Sequence, residues 1–249
     1  PLEVPLSEDE ISRLTRSFND MLARLDNAFS AQKQFVASAA HELRTPLAVM
    51  QTNLEVFSRK KEPSADEYQK LFSMIQEQTG RLSHLAEILL DMTGIQSVER
   101  SDFISLAELT DEVCCDLASI ADQKKVELIQ EEGDCTVTGS YLLLYRAVFN
   151  LVENAIKYNH PDGNVHINIK DENGFALISI KDTGIGIAPE NQEKIFTPFF
   201  CVDKSRSRTM GGAGLGLALV AEIAQLHNGT VYVSESDSEG STIILKLPL

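Results

Sequence analysis

Apolar residues recur at Ile11, Leu14, Phe18, Met21, Leu25 and Ala28, and Phe35 and Ala39 continue the phase. Alternating steps of three and four residues make a coiled-coil seam. Phe35, Ala39, Leu43 and Leu47 then follow in steps of four, until Met50, Leu54 and Phe57 restore the alternation. Such an inserted step is a stutter, which locally unwinds a supercoil. The pattern predicts one long helix over 7–59, a coiled-coil or bundle member rather than an ordinary globular helix. Lys60, Lys61, Glu62 and Pro63 break it, and Ser64 with Glu67 forms a capping box that opens a second helix. There Tyr68, Leu71, Ile75, Gln78, Leu82, Leu85, Leu89 and Met92 keep the three-four alternation, with Gln78 as the polar core position. Two long helices with a short connection predict an antiparallel hairpin. One hairpin cannot bury both stripes, so two chains are expected to pair into a four-helix bundle as a homodimer.

The pattern changes beyond Gly94–Asp102, a plausible joint. Ser105 and Glu108 make another capping box, opening a helix to about Ala121. Short strands are expected near 126–130 and 135–138, and a helix over 140–158 with Leu142, Leu143, Val148, Leu151, Val152 and Ala155 on its apolar side. Two alternating runs flank Asn173-Gly174, a strong hairpin signal. A helix near 215–227 leads to a last hairpin, 230–234 with 242–247. Helices mixed with hairpin-joined strands predict a two-layer α/β sandwich rather than a parallel doubly wound sheet.

Within the first helix, His41-Glu42-Leu43-Arg44-Thr45-Pro46 stands out. His41 lies two residues from both Ala39 and Leu43, so at about 100° per residue it points away from the seam. Thr45 shares its face, Glu42 sits on the flank, and Pro46 removes a backbone donor, which predicts a bend or weak point. An exposed imidazole beside a carboxylate is either a nucleophile with its base or a solvated surface histidine.

Composition narrows the options. The 249 residues carry 22 basic and 37 acidic side chains, a net charge of -15, which disfavours nucleic acid and anionic membrane as partners. No apolar run approaches the roughly 20 residues of a transmembrane helix, and no signal-peptide pattern is present. The chain opens inside a helical approach, so a piece of something longer is expected. Cys114, Cys115, Cys135 and Cys201 show no Cys-x-x-Cys spacing and read as reduced, mostly buried thiols.

Four pieces of the second half suit a nucleotide. Asn150 and Asn154 are one helical turn apart, followed by Lys157 and Tyr158. Amide oxygens are hard ligands suited to Mg²⁺, the lysine to a phosphate and the tyrosine to a base; the same residues also fit the polar flank of any amphipathic helix. In Asp182-Thr183-Gly184-Ile185-Gly186-Ile187 a carboxylate can accept the exocyclic amine of adenine, and glycines let backbone approach a ring; a glycine-capped turn is the plainer reading. Gly211-Gly212-Ala213-Gly214-Leu215-Gly216-Leu217 precedes a helix and offers N–H groups to phosphate, yet lacks the Lys-Ser/Thr of a P-loop. Between them Phe196, Phe199 and Phe200 lead into polar 203–209, a stretch suited to a nucleotide lid or, for its aromatics, to a core.

Order and spacing together resemble the cytoplasmic core of a bacterial two-component sensor histidine kinase. Residues 41–46 match the family's H box without substitution. Residues 150–158 resemble its N box, 182–187 its G1 box, 195–200 its F box and 212–217 its G2 box. Residues 5–26 resemble the second helix of a HAMP relay. The resemblance implies three parts: a HAMP-like remnant and signalling helix over 1–30, a dimerization and histidine-phosphotransfer domain over 31–98, and a catalytic ATP-binding domain over 99–249. It implies His41 as the phosphoacceptor attacking ATP, Glu42 as its base, and Thr45 as the residue positioning water for the reverse phosphatase reaction. Asn154 would hold Mg²⁺, with Asn150, Lys157 and Tyr158 lining the nucleotide. Asp182 would read adenine in a pocket shaped by Gly184 and Gly186, and Gly212, Gly214, Leu215 and Gly216 would serve the phosphates. The implied partners are a second copy and the receiver domain of a response regulator, with the chain on the cytoplasmic side of a cell-membrane protein anchored elsewhere.

Two positions depart from the family. Where an arginine commonly follows the F-box aromatic, Cys201 follows Phe200; Arg206 or Lys204 would have to substitute, or kinase activity would be low. Ser238-Glu239-Gly240-Ser241-Thr242 keeps one of two usual glycines. A clamp ATPase of the gyrase or chaperone type is the rival on the same fold, disfavoured because Asn150 stands about where those enzymes place a water-activating glutamate.

Overall fold

The computed structural model describes residues 10–202 and 214–249. Lys204, Arg206 and Gly212, together with residues 1–9 of the HAMP-like stretch, lie outside the described residues. The chain divides into two compact units, Pro1–Thr79 and Gly80–Leu249.

The first unit is helical. Helix α1 spans Glu10–Ser58 and α2 spans Ala65–Gly94, its last turns belonging to the second unit. Despite Pro46, α1 is unbroken: the ring costs one i→i−4 bond, and the long helix carries the defect without ending. Glu67 Oε2 accepts the Ser64 N–H at 2.9 Å while Ser64 Oγ accepts the Glu67 N–H at 3.3 Å, a complete capping box. Lys60 also pairs with Glu67 and, as the main cause, holds its carboxyl down to about 2. Phe57 meets Tyr68 edge-on with ring centroids 4.9 Å apart, fastening the two helices at the loop end. Ala39, Pro46 and Gln78 are buried, whereas Leu25, Leu47, Leu54 and Phe72 remain exposed.

The second unit is a two-layer α/β sandwich. Strand β1 (Asp102–Ser105) pairs antiparallel with β3 (Thr136–Gly139) in a small ribbon. The main sheet has the order β2 (Glu127–Gln130), β4 (Asn164–Glu172), β5 (Phe175–Asp182), β7 (Gly240–Pro248), β6 (Thr230–Asp237). Only β2–β4 is parallel. Helices α3 (Leu106–Lys124), α4 (Tyr141–Lys157) and α5 (Gly216–Leu226) pack on one face, α4 between the other two. Alternate residues of β4 and β5, including Ile167, Ile178 and Ile180, are buried beneath them. Leu143, Leu144, Val148, Leu151, Val152 and Ile156 of α4 are almost wholly buried, each contributing roughly 1.5–3 kcal/mol of apolar burial. Asn173 (φ 54°) and Gly174 (φ 80°) turn β4 into β5 with two left-handed residues, as a type I′ hairpin requires.

Three details differ from the sequence reading. Strand β1 was not expected: it fills the gap between the expected joint, which ends at Asp102, and the helix opened at Ser105. The N-terminus of α3 has half a capping box: Ser105 Oγ accepts the Glu108 N–H, and the further acceptor is Asp134, which takes the Ala107 N–H at 3.0 Å. The four thiols are free, but only Cys135 is buried; Cys114 and Cys201 are half-buried and Cys115 is exposed.

Candidate functional site

Each unit carries a candidate site. On α1 a shallow groove of ≈ 440 Å³ is lined by His41, Arg44, Thr45, Ala48, Val49, Thr52 and Asn53. His41 is exposed, with Thr45 one turn on along the same groove. The Thr45 hydroxyl donates to the His41 carbonyl oxygen at 3.1 Å, so it is folded back on the helix. Glu42 is half-buried and stands off the groove wall.

In the second unit a cavity of ≈ 260 Å³ opens between the C-terminal half of α4, the loop after β5, the start of α5 and strand β7. Asn150, Asn154, Lys157 and Tyr158 all face it, because the amphipathic helix spends its apolar side on the core and leaves these residues on one flank. Asp182, Gly186, Gly214, Leu215 and Gly216 also line it. Leu151, Ile180 and Ile243 make an apolar side on which a flat ring can rest.

Asp182 ends β5, is 8% exposed and has one partner on each oxygen, which leaves a further lone pair on each to accept a ligand donor. Its Oδ1 accepts the Gly184 N–H at 2.8 Å and its Oδ2 accepts the Ser241 hydroxyl at 2.5 Å. Gly184 does not line the cavity. It is buried behind Asp182, where a Cβ would come within 2.4 Å of the Tyr158 carbonyl oxygen. Gly186 combines φ +66° with a close approach to the Asp237 carbonyl, so no side chain fits there.

At the other end of the cavity, the Asn150 Nδ2 donates to the Arg146 carbonyl oxygen at 2.8 Å, which turns Oδ1 toward the first residue of α5. A Cβ on Gly216 would lie 2.5 Å from that oxygen and 3.7 Å from the Asn154 Nδ2. Two carboxamides thus flank a helix N-terminus whose free N–H groups and dipole favour an anion. Burial pushes the Lys157 ammonium below its usual range, and its Nζ sits 5.4 Å from the Tyr158 ring centroid. Burial likewise raises the Tyr158 phenol. Cys201 stands on the cavity wall, close to Gly214.

Ser241 is a site residue that the glycine count of 238–242 does not single out. The missing signal was register: Ser241 lies directly opposite Asp182 on the neighbouring strand, which residue spacing alone does not reveal.

Residues 31–97 match the family model of the His Kinase A (phospho-acceptor) domain. Residues 139–249 match that of the histidine kinase-, DNA gyrase B- and HSP90-like ATPases. The two matches, in this order, cover most of the chain. It belongs to the bacterial sensor histidine kinases. This histidine-kinase core is 34% identical over 227 residues to the sensor histidine kinase RppB of Synechocystis sp., an alignment covering 89% of this chain and 50% of RppB. It is 32% identical over 248 residues to the signal transduction histidine-protein kinase ArlS of Staphylococcus aureus, covering 97% of this chain and 54% of ArlS. The chain therefore spans about half the length of the curated relatives it matches. In fold it is similar to the Acinetobacter baumannii histidine kinase AdeS (TM-score 0.65, 24% identity, 84% of this chain and 97% of that one). It is also similar to the histidine kinase ThkA solved in complex with the response regulator protein TrrA (TM-score 0.72, 23% identity, 96% of this chain and 68% of that one).

Proposed function

We propose that this core transfers the γ-phosphoryl group of ATP to His41 and passes it on to an aspartate in the receiver domain of a response regulator. The observation that carries the reading is the single cavity in which a buried carboxylate, an ammonium, two carboxamides and a helix N-terminus converge. Phosphoryl transfer asks a protein for positioning and charge neutralisation rather than covalent help. The cavity offers both, and α1 offers an exposed imidazole beside a carboxylate.

Asp182 accepts the exocyclic amine of adenine, Tyr158 and the apolar wall hold the ring, and Lys157 with the α5 N-terminus receives the phosphates. A neutral His41 ring nitrogen attacks the γ-phosphorus, a P–N bond forms, the bond to the β-phosphate oxygen breaks, and ADP leaves. Glu42 orients the ring and takes the proton that the imidazole sheds. The donor set fits Mg²⁺ held jointly with phosphates: the Asn150 amide oxygen is turned into the cavity, and among the described residues no cluster of three acidic, His or Cys ligands could hold a metal alone. Asn154, with Asn150, would bind the ion, which supplies neutralisation of phosphate charge. Thr45, in the same groove as His41, positions water for the reverse hydrolysis of the regulator's acyl phosphate.

The working unit is a homodimer, supported by the apolar positions of α1 and α2 left exposed in one chain. We place the core on the cytoplasmic side of a cell-membrane receptor. Among the described residues no helix is long and apolar enough to cross a membrane. The test is a two-stage transfer. Protein labelled from γ-³²P ATP with Mg²⁺ and freed of nucleotide should pass its label to a purified receiver domain, and retention of all label on the donor would contradict the reading.

A further inference from the structure

Behind Asp182, on the side away from the cavity, three segments are joined by a closed ring of hydrogen bonds. The Thr183 hydroxyl donates to Asn159 Oδ1 at 3.1 Å, with the Asn164 carbonyl oxygen at 3.3 Å as a second acceptor. Asn159 Nδ2 donates to the Asn164 carbonyl oxygen at 2.9 Å, and the Asn164 N–H returns to Thr183 Oγ1 at 2.9 Å. Asn159 follows the last turn of α4, Asn164 opens β4, and Thr183 is the residue after Asp182. The backbone adds two further ties: Thr183 N–H to the Asn164 carbonyl oxygen at 3.2 Å, and Ile185 N–H to the Tyr158 carbonyl oxygen at 3.2 Å.

Neither Asn159 nor Thr183 reaches the cavity wall. The space at the centre of the ring is kept by Gly163, where a Cβ would come within 2.3 Å of Asn159 Oδ1 and 2.6 Å of Thr183 Oγ1. No L side chain fits there without opening the ring. The ring connects the two sides of the base end of the proposed nucleotide site. Lys157 and Tyr158 lie immediately before Asn159, and Asp182 lies immediately before Thr183.

We infer that Asn159 and Thr183 form a positioning bracket that fixes the Asp182 carboxylate against Tyr158 and thereby sets the preference for adenine over guanine. The inference rests on the proposed nucleotide site. The chemistry is geometric: a carboxylate held in place accepts the adenine amine and repels the carbonyl oxygen that guanine carries there. A carboxylate free to swing loses the first interaction and relaxes the second. The remaining bonds to Gly184 and Ser241 fix the carboxylate within its loop and strand, whereas the bracket fixes that loop to α4.

The test measures ADP and GDP affinity of the whole chain by equilibrium dialysis, with thermal unfolding in parallel. Thr183→Val removes the hydroxyl at nearly constant volume; ADP affinity is expected to fall about tenfold with GDP affinity little changed, and Thr183→Ser to restore the preference. Gly163→Ala, which touches neither the cavity nor Asp182, is expected to narrow the ADP/GDP ratio in the same way. If Thr183→Val does not fold, Asn159→Asp, which exchanges the Nδ2 donor for a charged carboxylate oxygen facing the Asn164 carbonyl oxygen and so opens the ring, serves in its place with the same expectation. An unchanged ADP/GDP ratio in these variants, at whatever melting temperature, overturns the bracket while leaving the nucleotide site standing. Equal weak binding of both nucleotides by the unmutated chain overturns the site itself, and the bracket with it.

Discussion

Ser241 holds Asp182 from the facing strand: its hydroxyl donates to Asp182 Oδ2 at 2.5 Å, and the two residues are register partners across β7 and β5. A hydrogen bond to a charged, buried acceptor is worth roughly 1.5–3 kcal/mol. Ser241→Ala removes it inside a nearly closed wall, where the freed oxygen finds little water. The expected result is a loss of about tenfold or more in ATP affinity, read by calorimetric titration, with a melting temperature lower by several degrees. Ser241→Thr should keep the affinity.

The apolar stripe of the first unit yields a prediction about assembly. Leu54 is 46% and Phe72 66% exposed in the single chain. Leu54→Glu replaces an apolar contact in each of two copies, each worth about 1.5–3 kcal/mol, and adds a charge with no partner. The dissociation constant of the dimer should rise by about two orders of magnitude or more, measured by sedimentation equilibrium. A dimer of unchanged strength would place the interface elsewhere.

His227 gives stability a pH dependence. It is buried; its Nε2 accepts the Ser140 N–H at 3.0 Å, and its Nδ1 faces the Ile223 carbonyl oxygen at 2.8 Å. Burial lowers its folded-state pKa below the ordinary 6.5. Between the two values the unfolded chain binds more protons, so stability rises with pH there. The contribution is complete above the unfolded-state value and is lost as pH falls toward the folded-state one. Chemical denaturation at pH 7.5 and at pH 5.5 should show this slope, and His227→Gln should flatten it.

The long helices were legible because a three-four repeat sustained over many turns has few other readings, and the β4–β5 hairpin because Asn173-Gly174 fits few other turns. Strand β1 was not. Its four residues bury only Ile104, too little alternation to register as a strand. The residues proposed for the nucleotide came from i, i+4 spacing and glycine-flanked acids, and all of the described ones except Gly184 reach one cavity wall. Gly184, Asn159 and Thr183 act behind that wall, and Ser241 stands on it from the neighbouring strand. Their partners are set by strand register and by the meeting of three segments distant in sequence, and no local pattern encodes such a meeting.

Cys201 supplies a reporter for the cavity. It lines the wall, whereas Cys115 is exposed elsewhere and the Cys114 thiol is pushed up to about 11, chiefly by burial. Saturating ATP should slow alkylation of Cys201 and leave the rate at Cys115 unchanged, read by mass spectrometry of peptides. Equal rates at Cys201 with and without nucleotide would count against the cavity as the ATP site. Cys201→Arg, which adds a cation at the phosphate end, is expected to raise the rate of self-labelling. No gain would mean that the missing arginine does not limit the kinase.

The most direct measurement is self-labelling of the unmutated chain and of His41→Gln with γ-³²P ATP and Mg²⁺, followed by acid and base treatment. The unmutated protein should take up label that is lost in acid and kept in base, as a phosphoramidate is, and His41→Gln should take up none. No label on the unmutated protein, or undiminished label on His41→Gln, would contradict phosphoryl transfer to this imidazole.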